Sequence, residues 1–111
     1  MALTKEGWVY TWGGSLHKKA SGGSEPTIVQ ALVEKKARVV QVDCGDFHSV
    51  ALDSEGRAFS WGGGGASYNK GQCGHGHLKD TERPEQIQAL QHLRTSQISA
   101  GGYHTLALTE D

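Results

Sequence analysis

Apolar and polar residues alternate along this chain in short bursts, each closed by glycine, aspartate or asparagine. Alternation with a period of two marks a strand, and it predicts strands over Val9–Trp12, Val39–Asp43, His48–Leu52, Ala58–Trp61, Ile98–Ala100 and His104–Leu108. Thr4-Lys5-Glu6-Gly7 and Asp53-Ser54-Glu55-Gly56 read as hairpin turns, with glycine supplying the positive φ. Pro26-Thr27-Ile28-Val29 and Pro84-Glu85-Gln86-Ile87 each open a further short strand after a long loop. Over Pro84–Arg94 the apolar Ile87, Leu90 and Leu93 also fit one helical stripe; a strand followed by a loop is the preferred reading.

The bursts recur as whole phrases. Cys44-Gly45-Asp46-Phe47-His48-Ser49-Val50-Ala51-Leu52 returns as Ala100-Gly101-Gly102-Tyr103-His104-Thr105-Leu106-Ala107-Leu108, 56 positions later. Ala2-Leu3-Thr4-Lys5-Glu6-Gly7-Trp8-Val9-Tyr10-Thr11-Trp12-Gly13 returns 49 positions later as Ala51-Leu52-Asp53-Ser54-Glu55-Gly56-Arg57-Ala58-Phe59-Ser60-Trp61-Gly62. A period near 50 implies an array of like supersecondary units. Four strands per unit is the arithmetic of a β-propeller blade. The expected fold is therefore all-β, with about two four-stranded antiparallel blades in an incomplete or oligomer-closed propeller. Residues 1–43 hold the end of one blade and the start of the next, 44–99 one full repeat, and 100–111 the start of another. The chain begins inside a strand and stops in the same register, so a segment cut from, or tiling into, something longer is expected.

Composition narrows the function classes. Glycine, at 16 of 111 residues, is about twice its average share and fits turns between regular strands. A net charge of −1 offers no broad footprint for nucleic acid or anionic membrane. Two cysteines make no disulfide framework. No apolar run reaches the length of a membrane span, and the N-terminus does not open as a signal peptide. The expected placement is intracellular, cytoplasmic or nuclear.

Val39, Val42, Gly45, His48, Ser49, Ala51, Leu52, Gly56, Trp61, Gly62, Gly71, Gln72, Gly74, Gly76 and Pro84 together resemble the regulator of chromosome condensation repeat. Ile98, Gly101, His104, Thr105, Ala107 and Leu108 carry the same pattern a second time. The resemblance implies a seven-bladed propeller and a protein-interaction module that presents loops to a partner. It also implies an alternative, guanine-nucleotide exchange on a small GTPase. Two departures stand out: Cys73 replaces a leucine of the pattern, and about four extra residues lie between Trp61 and Gly71. The first unit lacks the Gly-Gln motif and runs from Leu16 to Pro26 without it.

His48 and His104 recur once per unit, as do Trp12 and Trp61, so both pairs read as architecture, the tryptophans packing between blades. Gly45, Gly56, Gly71, Gln72, Gly74 and Gly101 belong with them. Cys73, His75 and His77 offer thiolate and imidazole at short spacing, but a structural zinc needs four ligands and no second pair is present. They are weak candidates, and neither metal nor cofactor is expected. The glycine run from Gly62 lacks the Lys-Ser/Thr and helix start of a phosphate loop. No nucleophile, base and orienting group assemble, so an enzyme is not expected. Trp8, whose repeat counterpart is Arg57, is a candidate interface anchor or, equally, a cover for the end of an incomplete propeller. The irregular loops add His17, Lys18, Lys19, Tyr68, Asn69 and Lys70 as interaction candidates. The expected partner is a protein, together with self-association or missing blades; nucleic acid and membrane are not expected.

Overall fold

The computed structural model describes residues 1–13, 25–65 and 67–110. Its elements run β1 (Ala2–Leu3), β2 (Val9–Thr11), β3 (Thr27–Ile28), α1 (Gln30–Glu34), β4 (Val39–Cys44), β5 (His48–Asp53), β6 (Ala58–Gly62), β7 (Thr81–Gln86), β8 (Thr95–Ala100) and β9 (Thr105–Thr109). They form three antiparallel sheets, ordered β1-β2-β3, β4-β5-β6-β7 and β8-β9. The middle sheet is one complete four-stranded meander. All six strands expected from alternation are present, with ends displaced by a few residues.

Two connections differ from expectation. Pro84 lies inside β7 rather than opening it, and a 3-10 turn at Gln88–Leu90 takes up part of the helical stripe. Proline is tolerated there because β7 is the outermost strand of its sheet. The helix α1 was not expected. Five residues without a side-chain cap do not hold a helix alone; burial of Ala31 and Leu32 holds this one.

Alternation in β5 and β6 sorts side chains onto two buried faces. Ala51, Phe59 and Trp61 join Val9, Val29, Leu32, Ala37 and Val39 in one apolar cluster between the first and second sheets. Val50, Leu52 and Ala58 join Ile87 and Ile98 in another, between the second and third. Every residue of β6 is therefore buried. The outer faces are different. Trp12 is 43% exposed where its counterpart Trp61 is 2% exposed; Trp61 packs between two sheets, whereas Trp12 joins neither buried cluster. Leu106 and Leu108 are likewise exposed, whereas their counterparts Val50 and Leu52 are buried.

Side chains stitch neighbouring sheets where backbone ladders cannot. Gln41 Nε2 donates to the Ile98 carbonyl at 3.1 Å, and the Ile98 amide donates to Gln41 Oε1 at 3.0 Å. Two residues on, the Ala100 amide donates to Asp43 Oδ2 at 2.8 Å. On the opposite edge, Arg94 donates to the carbonyls of Glu55 and Ser54 in the preceding hairpin turn.

Because the strands reverse direction, alternate connections share an edge. The turn 45–47, the loop 63–80 and the turn 101–104 lie on one face of the array. The turns 4–8 and 53–57 and the connections 29–38 and 87–94 lie on the other.

Candidate functional site

The chain leaves β6 through four glycines, Gly62 at the strand's end and Gly63, Gly64 and Gly65 beyond it, all at positive φ. At Gly64 the need is steric as well: an added Cβ would stand 2.8 Å from the Phe47 ring and from Tyr68 Cβ. The run thus lets the chain pass tightly beneath two aromatic side chains. Beyond it, Asp80 closes the loop, its carboxylate accepting from the Gly65 amide at 2.8 and 3.1 Å and from Asn69 Nδ2 at 3.0 Å. Gln72 fastens the centre, accepting from the Lys70 amide at 2.7 Å and donating to the carbonyls of Tyr68 and Gly63. A loop bonded to itself at so many points loses little entropy when a partner engages it.

What this framework presents is aromatic. Tyr68 stacks on Phe47 with ring centroids 4.4 Å apart and planes at 23°. Tyr103 tilts against Phe47 from the next turn, at 5.7 Å and 33°. Phe47 and Tyr103 are repeat counterparts, whereas Tyr68 lies in the lengthened stretch between Trp61 and Gly71. Tyr68 and Tyr103 remain 41% and 44% exposed.

A hydrogen-bonded relay ties this loop to the blades. Thr105 Oγ1 donates to the Gln72 carbonyl at 2.7 Å, so its hydroxyl proton is committed there. It accepts from His48 Nε2 at 2.8 Å, which assigns the proton of His48 to Nε2 and leaves Nδ1 a buried lone pair with no partner among the described residues. Burial above all holds the His48 pKa below its ordinary value of 6.5; the charge of His104 adds to the lowering, while a backbone hydrogen bond to His104 and the nearby Asp43 and Asp46 pull the other way. Below pH 6.5 the unfolded chain binds a proton that the folded chain resists. The stability this confers is complete above pH 6.5 and is lost as pH falls toward the folded value. The urea midpoint is expected to fall between about pH 7 and 5.5, and the fall to shrink in His48→Gln. An equal pH dependence in wild type and variant would refute the assignment.

The remaining candidates are dispersed. Trp8 is exposed on the opposite face from Tyr68, so the two do not form one surface. His17, Lys18 and Lys19 lie outside the described residues. Lys70 is exposed, but Asn69 is buried, its side chain bonding Asp80 and the Gly71 amide inside the loop. Cys73 points into the core, its thiol 3.6 Å from the Gly62 carbonyl and its pKa raised by burial to about 11. His75 Nε2 lies 3.0 Å from Ser60 Oγ, and His77 Nδ1 accepts from the Lys79 amide. Among the described residues no three such side chains are grouped to hold a metal ion. Nor is Ser60 with His75 an activated nucleophile: the buried hydroxyl already bonds the Cys73 carbonyl at 2.5 Å. Among the described residues no helix is long and apolar enough to cross a membrane.

Phe47, Tyr103, Asp46 and Asp80 were missed as site residues. The recurrence of an aromatic residue at 47 and 103, inside the repeated phrase, was the available signal.

One complete four-stranded meander packed between two partial ones, with loops displayed along one edge, defines a repeat protein of the propeller class. The regulator of chromosome condensation (RCC1) repeat matches residues 55–108, and the chain belongs to this family. It is 37% identical to the mitochondrial RCC1 domain-containing protein RUG3 of Arabidopsis thaliana, over 99% of this chain and 24% of that protein. Human WBSCR16 superimposes with a TM-score of 0.78 at 24% identity, over 98% of this chain and 28% of the other. Prp20p of Saccharomyces cerevisiae, described with binding properties to Gsp1p and histones, superimposes with a TM-score of 0.71 at 23% identity, over the same shares. The chain therefore spans about a quarter of the length of these relatives.

Proposed function

We propose that the chain is a protein-binding segment of an RCC1-repeat propeller, and that the face bearing Phe47, Tyr68 and Tyr103 meets the partner. The observation that carries this reading is a hydrogen-bonded loop holding Tyr68 half-exposed on Phe47. Half-buried aromatic residues on a preorganised support are what interface hot spots are made of. The reading needs no catalytic group and no cofactor. The test is a photo-crosslinking residue placed at Tyr68, or at Trp8 on the opposite face, in the full-length protein in its own cells. Protein adducts are expected from position 68 and not from position 8; adducts from position 8 alone would overturn the choice of face.

Nucleotide exchange on a small GTPase is the second reading, favoured by the binding of Prp20p to Gsp1p. Release of labelled GDP from a small GTPase is expected to be unchanged by the chain, and acceleration would put exchange first. We place the protein inside the cell, in cytoplasm or nucleus, with the mitochondrial relative as a reason to examine that organelle too. The exposed Trp12 on one outer face and Leu106 and Leu108 on the other support contact with further blades or further copies.

A further inference from the structure

We infer that the Phe47–Tyr68–Tyr103 face recognises arginine: its occupant is a partner-protein segment whose guanidinium stacks on a tyrosine ring and pairs with Asp46. The inference rests on the interaction reading above and adds the chemistry of the partner.

Three observations converge. The rings form a continuous row, with Phe47 in the middle at 4.4 Å from Tyr68 and 5.7 Å from Tyr103. The two outer rings are the exposed ones, and each keeps about two-fifths of its surface in solvent. Asp46, next to Phe47 in the same turn, lies beside the turn of Tyr103: a Cβ added at Gly102 would stand 3.2 Å from Asp46 Oδ2. The Asp46 carboxylate is exposed and forms no ion pair among the described residues. The other nearby acid, Asp80, is already engaged by Gly65 and Asn69. An available carboxylate at one end of an aromatic row selects a planar cation. Arginine satisfies both parts at once, because its guanidinium stacks on an aromatic face while its edge forms two parallel hydrogen bonds to a carboxylate. Lysine, a compact and strongly hydrated charge, uses the ring less well and cannot make the paired bonds. A purely apolar segment would leave Asp46 desolvated without a partner. The row is also in the repeat: Phe47 and Tyr103 occupy one repeat position, so arginines spaced along an extended segment can follow it from blade to blade.

The probe is a fluorescein-labelled peptide of alternating glycine and arginine, compared with its lysine counterpart by anisotropy on the full chain. The arginine peptide is expected to bind about five- to tenfold more tightly than the lysine peptide, with binding weakened by salt. Asp46→Asn and Tyr103→Ala are each expected to weaken the arginine peptide by about the same factor, while Trp8→Ala leaves it unchanged. All three positions are exposed, and unchanged urea midpoints would exclude loss of fold. Equal affinity for the two peptides, no binding of either, or binding indifferent to Asp46→Asn would overturn arginine recognition. The two proposals fail separately. If the peptide does not discriminate while the Tyr68 crosslinks persist, the face binds protein by other chemistry; if both are absent, the interaction reading falls as well.

Discussion

Gly45→Ala is expected to destabilise the chain by about 2–4 kcal/mol, more than any other single added methyl at a glycine. Gly45 does not have a positive φ, so alanine meets no dihedral penalty, and the cost is one of space. Its Cβ would stand 2.2 Å from the Gly101 carbonyl oxygen of the next sheet and 2.2 and 2.4 Å from Cε1 and Nδ1 of His48. Neither neighbour can retreat. The carbonyl is backbone, and the imidazole is buried and anchored to Thr105. The repeat supplies its own control. At Gly101 an added Cβ would meet the ring of His104, 2.0 Å from Cε1, but His104 is exposed and can turn away. Gly101→Ala is therefore expected to cost less than Gly45→Ala in urea unfolding at pH 7.5. Equal losses at the two positions would mean that sheet contact is not what makes this glycine necessary. The same contact explains why glycine and histidine sit three apart in both phrases: the ring lies where the glycine has no side chain.

How far this architecture could be read in advance depended on which interactions leave a periodic trace. The strands did, because along each of them successive side chains face opposite sides of a sheet. The hairpin turns did, because Gly7 and Gly56 adopt φ of +95° and +82°. Helix α1 left none: its five residues are helical only because Ala31 and Leu32 find a core. The stitches between sheets were half legible. Gln41 and Gln97 stand 56 positions apart, as do Arg38 and Arg94, but which backbone groups such side chains reach is fixed by the angle between sheets. In the candidate site, the extra residues before Gly71 were visible as an irregular length. Their direction was not, since it depends on Asp80 closing the loop from ten residues or more away. That closure also separates Tyr68 from Asn69. Adjacent in sequence and equally polar in a loop reading, one ring lies on Phe47 in solvent and one amide is buried.

Trp61→Ala is expected to cost about 3–5 kcal/mol, and Trp12→Ala under about 1 kcal/mol, although the two tryptophans hold the same repeat position. Trp61 is 2% exposed in the cluster that joins the first two sheets, with Phe59, Val9 and Leu32 among its members. Removing the indole there forfeits its transfer energy and leaves a cavity, which β5 and β7 on either side of β6 keep from collapsing. Trp12, 43% exposed, gives up little of either kind. Urea unfolding of the two variants, followed by far-UV circular dichroism, separates the cases without relying on tryptophan fluorescence. If Trp12→Ala proves as damaging as Trp61→Ala, then a sheet covers Trp12 in solution, supplied by another copy. Its loss should then depend on protein concentration. Independence of concentration, with a small loss at Trp12 and a large one at Trp61, would mean that stability resides in the contacts of the complete central blade. The aromatic face is built on that blade and on the turn of its neighbour, so a stable centre is also the condition for a partner to find Tyr68 and Tyr103 in place.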